Sequence, residues 1–243
     1  GKPAYGVGGG NVQCIIDDDV DLEKVVPMIV AGRKFDNGII CSGEQTAITP
    51  AAMYDDMVKT FQKNGAYYVE KPEEIDAVRN VIFPGGKMNK DAVGQSAQPA
   101  DTVVLLVKVE KAGAGEPFSK EKMCPCIAAY RYNTWEEAVA IANANLNVEG
   151  KGHSVCIHSY NDAHIDYAAE TLPVSRFLIN QICSTNNGGS FFNSLSATTT
   201  LGCGSWGNNS ISENLSWRHL FNVSRVAKVR PGSTMPTDEE IWG

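Results

Sequence analysis

IAAYRYNTWEEAVAIANAN, residues 127–145, is the stretch on which the fold turns. Its first part, Ile127 to Tyr132, reads as a strand. Thr134 then opens a helix with Glu137 three residues on, a capping box, and the helix runs to about Asn145. Upstream, TVVLLVKV (102–109) is β-branched and apolar, the pattern of a buried strand. Downstream, Gly152 to His158 reads as a strand, Asn161 to Leu172 as a helix and Arg176 to Ile182 as a strand. The same alternation extends towards the N-terminus. Val12 to Asp17 is strand-like, and Leu22, Val25, Val26, Ile29 and Val30 follow at helical spacing, with Asp18, Asp19 and Asp21 at the positive end of that helix. Pro27 interrupts this helix and leaves its start open. Gln45 to Thr49 is a further strand, Ala51 to Asn64 a helix closed by Gly65, and Pro72 to about Phe83 a helix with acids in its first turn. Strands alternating with helices predict an α/β domain with a mainly parallel sheet. There is no internal repeat and no heptad pattern. Cys183 to Asn209, rich in Gly, Ser, Thr and Asn, reads as a long loop region. Beyond it the sequence predicts a short helix or turn from Ser212, a strand near Phe221 to Val229 and an exposed tail from Pro231.

The 243 residues are 43% apolar and 20% charged, ordinary for a globular chain. A net charge of -7 argues against a general nucleic-acid binder, which needs a basic face. No apolar run approaches the ~20 residues of a membrane-spanning helix. The chain carries an odd number of cysteines, seven, which favours free thiols in a reducing cytoplasm over a disulfide scaffold. It opens on GKPAYG without an initiator methionine and reads as mid-domain sequence, so a fragment of a longer enzyme is expected.

Several stretches could carry chemistry. GVGGGN (6–11) lacks the preceding strand and following helix of a dinucleotide loop. It reads as a flexible turn, or as backbone approaching a site closely, which glycine permits. In FDNGIICSGEQ (35–45), Cys41 lies at a helix-to-strand junction among small residues. That is the exposure a thiol nucleophile needs, although a buried structural cysteine is the plainer reading. Cys124-Pro125-Cys126 resembles half a metal site but has neither the usual gap nor a second pair, so no metal is expected. His153 follows a glycine in isolation and reads, taken alone, as a structural or surface residue. LGCGSWGNN (201–209) is a tight loop lining a pocket, or a plain turn.

Together and in order, GVGGGN (6–11), RKFDNGIICSGEQ (33–45), EPFSKEKMCP (116–125), GKGHS (150–154) and TLGCGSWGNNSISEN (200–214) resemble the CoA-acylating branch of the aldehyde dehydrogenase superfamily. The likeness runs from Gly1 to about Val229. It implies the superfamily's α/β catalytic domain over residues 1–222 and a C-terminal oligomerisation strand and tail over 223–243. The family's N-terminal Rossmann half has no counterpart in this sequence. The resemblance implies a small aldehyde as substrate, NAD or NADP as oxidant, coenzyme A as acyl acceptor, and a homodimer or higher homo-oligomer.

By position, Cys41 matches the family's nucleophile, and backbone N–H groups of Cys41 or Ser42 would stabilise the oxyanion. Glu121 matches the glutamate that holds the nicotinamide ribose. His153 matches a histidine near the active site, and Gly6 and Gly8 fall on the cofactor side. Gly6 stands where hydrolytic members carry a water-activating glutamate, which favours a thioester product. A free-acid-forming dehydrogenase and a catalytically incomplete assembly module remain the alternatives. Two departures stand out. The chain is shorter than the family between Gln95 and Thr102, and NNGGSFFNSLS (186–196) departs from the family's substrate-side loop. Acetaldehyde, succinate semialdehyde and sulfoacetaldehyde all stay open as substrates. The tail PTDEEIWG (236–243) is similar to sulfoacetaldehyde members.

Overall fold

A computed structural model describes residues 4–97 and 101–243. Part of the shortened Gln95–Thr102 segment therefore lies outside the described residues, as does the start of the chain. Seven strands form one sheet in the order β3-β4-β5-β2-β1-β6-β7. They are β1 (Gln13–Ile16), β2 (Thr46–Pro50), β3 (Ala66–Val69), β4 (Val104–Lys108), β5 (Cys126–Tyr132), β6 (Val155–His158) and β7 (Phe177–Ile179). Every neighbouring pair in the sheet is parallel.

Both faces of the sheet are covered by helices, which is why its strands read as continuous apolar runs. Alternate residues split between two cores. Ile15, Ile48, Val107, Ala128 and Ile157 face α3 (Pro72–Ile82), α4 (Trp135–Val148) and α5 (Asp162–Thr171). Ile16, Ala47, Leu106, Ala129 and Cys156 face α1 (Leu22–Lys34) and α2 (Tyr54–Lys63). Asp21 caps α1 by accepting from the Glu23 N–H, and Pro27 sits inside the helix without ending it. Val25, Val26, Ile29 and Val30 make its buried face, so tertiary burial outweighs the lost proline hydrogen bond. Thr134 caps α4 through the Glu137 N–H, while the Glu137 carboxylate takes the Asn133 N–H (2.7 Å) rather than closing a box on Thr134.

Sequence and structure differ at both ends of the sheet. The strand β3 was not expected. It is only AYYV, directly after the helix-closing Gly65, and as an edge strand it is buried at Ala66 and Val69 but not at Tyr67. The long loop holds a short helix, α6 (Cys183–Asn186). The strand expected near Phe221 to Val229 is absent: the segment has no neighbouring strand, and Phe221, Val223, Val226 and Val229 are exposed. A strand needs a hydrogen-bonded neighbour, and the described residues offer that segment none. A last short helix, α7 (Asp238–Trp242), is capped by Thr237 within the expected tail. Among the described residues no helix is long and apolar enough to cross a membrane.

Candidate active site

The motifs converge because four adjacent strands, β5-β2-β1-β6, are parallel and present their N-terminal ends together. GVGGGN leads into β1, the Cys41 segment into β2, the Glu121 segment into β5, and the His153 segment into β6. Side chains lace these entrances together. Asn11 Nδ2 donates to Ser119 O (2.7 Å) and Glu149 O (3.1 Å), and Lys122 N–H donates to Gln45 Oε1 (3.1 Å).

The Cys41 segment is shaped by the turn that follows α1. Asp36, Asn37 and Gly38 all have positive φ, at 48°, 48° and 72°. Short polar residues and glycine tolerate that region best. The buried Arg33 ties this turn to the Glu121 segment: its Nε donates to Cys124 O (3.0 Å) and its Nη2 to Gly38 O (3.2 Å). From the other side, a Cβ at Gly10 would meet Cys41 O at 1.9 Å, so the glycine backbone lies directly against the cysteine's peptide. Cys41 is partly exposed, whereas the other six cysteines are buried, and all seven are free thiols.

His153 comes to the thiol from the β6 side. Its Nε2 lies 3.4 Å from Cys41 Sγ, and the ring is buried. Gly152 makes this possible, with φ 81° and its Cα packed so tightly that a Cβ would meet Cys203 O at 1.8 Å. Arg176 holds the same turn. Its Nη2 donates to His153 O (2.9 Å) and Gly202 O (2.7 Å), and its Nε to Ser154 Oγ (3.2 Å). Burial first, and then the Arg176 charge, pull the His153 imidazole down to about 3, so it is neutral at physiological pH. Burial first, and then the Glu121 carboxylate, push the Cys41 thiol up. The pair is thus thiol and neutral imidazole, with Nε2 within hydrogen-bond range of the sulfur, rather than a thiolate–imidazolium ion pair.

This state has a measurable consequence. Alkylation of Cys41 by iodoacetamide, in protein without cofactor, is expected to rise about tenfold per pH unit from about pH 6 to about pH 8. A fast rate that stays flat across that range would show an ion pair and overturn this assignment.

Glu121 faces the glycine strand. A Cβ at Gly9 would lie 3.5 Å from Glu121 Oε2 and 4.0 Å from Glu149 Oε1. Glu121 Oε1 is buried without a hydrogen-bond partner. A cavity of about 380 Å³ opens here, lined by Glu121, Glu149, Lys87, Lys120 and Met123 among others. A second cavity, of about 290 Å³, lies at the thiol, where Cys41 is joined by the apolar Phe35, Ile40 and Leu201 and by Ser42, Ser184, Thr185, Thr198 and Thr199.

The structure therefore brings Cys41, His153 and the glycine strand together, with Glu121 on the opposite side of that strand. Gly6 and Gly8 are less engaged than their neighbours Gly9 and Gly10. A Cβ at Gly6 would meet nothing within 4 Å, and one at Gly8 would touch Cys203 Sγ and Gly207 O at 3.7 Å. Sequence reasoning missed Arg33 and Arg176, since a lone arginine in an apolar context gives no spacing signal. It also missed Cys14, Cys156 and His158, three buried residues whose ligand atoms lie within 4.8 Å of one another. Cys14 and Cys156 are register partners on β1 and β6, and His158 Nε2 lies 3.5 Å from Cys156 Sγ, a contact that a thiol–imidazole hydrogen bond accounts for.

The parallel sheet thus gathers a thiol and an imidazole at the N-terminal ends of its inner strands, with a carboxylate across the glycine run. Known proteins share this fold. The family model described as "Aldehyde dehydrogenase family" matches residues 2–77. The whole chain is 49% identical to the succinate-semialdehyde dehydrogenase (acetylating) of Clostridium kluyveri, covering 56% of that protein. It is 35% identical over its whole length to the sulfoacetaldehyde dehydrogenase (acylating) of Bilophila wadsworthia, covering 55% of it. The crystal structure of an acetylating aldehyde dehydrogenase from Geobacillus thermoglucosidasius superposes with a TM-score of 0.89 at 33% identity, over 98% of this chain and 54% of that one. Over its full length the chain is similar to acylating members of the aldehyde dehydrogenase family, whose family model matches its first third. It spans about half the length of these relatives.

Proposed function

We propose that this chain carries the acyl-transfer chemistry of a CoA-acylating aldehyde dehydrogenase, with Cys41 as the nucleophile. The observation that carries the reading is Cys41 itself: the one thiol not buried, against the Gly10 backbone and 3.4 Å from His153 Nε2. The acylating names of the relatives support the reaction type.

Cys41 Sγ attacks the aldehyde carbon while its proton leaves by way of His153 Nε2. The hemithioacetal oxygen takes the negative charge, and the backbone N–H of Cys41 or Ser42 stabilises it. NAD or NADP supplies the hydride acceptor when bound. Glu121 fits the ribose of such a cofactor, because its buried Oε1 lacks a donor and a carboxylate accepts from both hydroxyls of a vicinal diol. The product is a thioester on Cys41, and the thiol of coenzyme A displaces it, a ping-pong sequence. Gly6 presents no carboxylate to activate water, and a Cβ there would meet nothing within 4 Å. The thioester is therefore left to the incoming thiol, and the reaction is reversible. Gly8, which the resemblance puts on the cofactor side, lies against Cys203 and Gly207.

The aldehyde side chain enters the small cavity beside Cys41, where Phe35, Ile40 and Leu201 join serine and threonine side chains, which suits a short aldehyde. Succinate semialdehyde leads that panel because the Clostridium kluyveri relative is named for it. Residues 223–243 serve oligomerisation: Val223, Val226 and Val229 are exposed, and a second subunit would cover them in a homodimer or larger assembly. Free thiols throughout suit a reducing compartment such as the cytoplasm.

The test is NADH formation by the complete protein with succinate semialdehyde, acetaldehyde and sulfoacetaldehyde, with and without coenzyme A. Strict dependence on coenzyme A, with an acyl-CoA product, is expected. Equal rates without it, yielding the free acid, would overturn the acylating reading.

A further inference from the structure

The C-cap of α4 and the turn after it carry a feature that helix physics does not explain. Glu149 is the C-cap of α4 and is exposed. A carboxylate at a helix C-terminus meets the negative end of the dipole, so the position costs stability rather than adding it. The turn is nevertheless held rigidly. Asn11 Nδ2 donates to Glu149 O (3.1 Å), and Gly150, at φ 95°, packs so that a Cβ would lie 2.6 Å from Asn11 Cβ. The side chain points back to the site: Glu149 Oε2 accepts the Glu121 main-chain N–H at 2.9 Å. Both carboxylates line the same cavity and flank Gly9, whose missing side chain leaves room between them.

We propose that Glu149 is a positioning residue for the cofactor-binding carboxylate Glu121, fixing its main chain and sharing with it one ribose-facing cavity. This rests on the reading of Glu121 as the ribose acceptor. The charge of Glu149 adds a second consequence. Burial first, and then the Glu149 carboxylate, raise Glu121 to about 7. Arg33 from α1 and the neighbouring Lys122 act in the opposite direction, and Lys87 and Lys120 line the cavity. Near neutrality Glu121 is thus partly protonated, and only its ionised form accepts from both ribose hydroxyls. Cofactor affinity is expected to rise with pH through about 7. Removing the Glu149 charge lets Glu121 ionise at lower pH, so the transition moves towards acid.

The experiment measures NADH binding to the complete protein by fluorescence titration between about pH 5.5 and about pH 8.5, alongside kcat and KM for NAD. Glu149→Gln keeps an acceptor for the Glu121 N–H but removes the charge. It is expected to bind NADH normally above the transition and to move the transition acidward by about half a pH unit or more. Glu149→Ala loses the acceptor too, and is expected to weaken NADH binding several-fold with kcat within about twofold of the parent. A merely structural Glu149 would leave the pH transition of the Gln variant where it was, and that result overturns the proposal. So does undiminished NADH affinity in Glu149→Ala. Glu121→Ala separates the two levels of inference. If it too leaves NADH affinity unchanged, the ribose role of Glu121 falls. If it weakens binding while both Glu149 variants behave as the parent, only the role of Glu149 falls. Thermal unfolding of each variant confirms that binding is compared among folded proteins.

Discussion

Cys41→Ala is expected to reduce CoA-dependent NADH formation by ~10⁴-fold or more, the scale seen when a covalent nucleophile is deleted. A thioester intermediate needs a sulfur that an aldehyde can reach, and Cys14, Cys124, Cys126, Cys156, Cys183 and Cys203 are all buried. None can replace Cys41 without unfolding its surroundings. The fold should survive the change, because Cys41 is partly exposed and the contact that Gly10 makes is with its backbone, not its thiol. Incubation with acyl-CoA followed by intact-mass measurement checks both points. The parent should gain one acyl group and the variant none, with similar melting temperatures. Acylation of the variant at another cysteine would remove Cys41 from the mechanism.

Gly10→Ala is expected to be nearly as damaging, although it touches no reacting atom. The new Cβ would sit 1.9 Å from Cys41 O, 2.7 Å from its carbonyl carbon and 3.0 Å from its Cα. These are backbone atoms, so no side chain can swing aside. Either the entrance to β1 or the entrance to β2 must move, and the sulfur moves with it. A displacement of about 1 Å at a reacting group costs on the order of 10²-fold in rate. A drop of that size or larger in kcat/KM is expected, together with a lower melting temperature. Gly6→Ala is the stability comparison, since a Cβ there would meet nothing within 4 Å. If Gly10→Ala melts and turns over like the parent, the close approach of the glycine strand to Cys41 is wrong.

The contrast between these glycines shows how far sequence reading reached. The run GVGGGN suggested a close backbone approach but could not say which glycine makes it. The resemblance points to Gly6 and Gly8, whereas the tightest contact falls on Gly10. A glycine's need for space is set by what lies across from it, and that is a property of the packed structure. Glu149 and Arg176 were invisible for the same reason. One acts across the gap between helix α4 and the Glu121 segment, the other across the turn before β6 and the 200–214 loop. Local periodicity carries no trace of either.

What the sequence determined by itself was the set of parts. Apolar runs marked β1, β2 and β4 to β7, and helical spacing, first-turn acids and the Thr134 cap marked the longer helices, because these depend on neighbours within a few positions, whereas Cys41 was singled out by the family resemblance. What only the tertiary structure decided was their arrangement. The order β5-β2-β1-β6, with every strand parallel, sets four entrances side by side and brings His153 to Cys41 across 112 residues of chain. Strand order follows from how two buried faces share their helices. That balance is settled only when the whole sheet packs, so it has no local signature. The segment 221–229 makes the complementary point: its apolar residues have the composition of a strand, but a strand exists only where another backbone stands ready to pair with it.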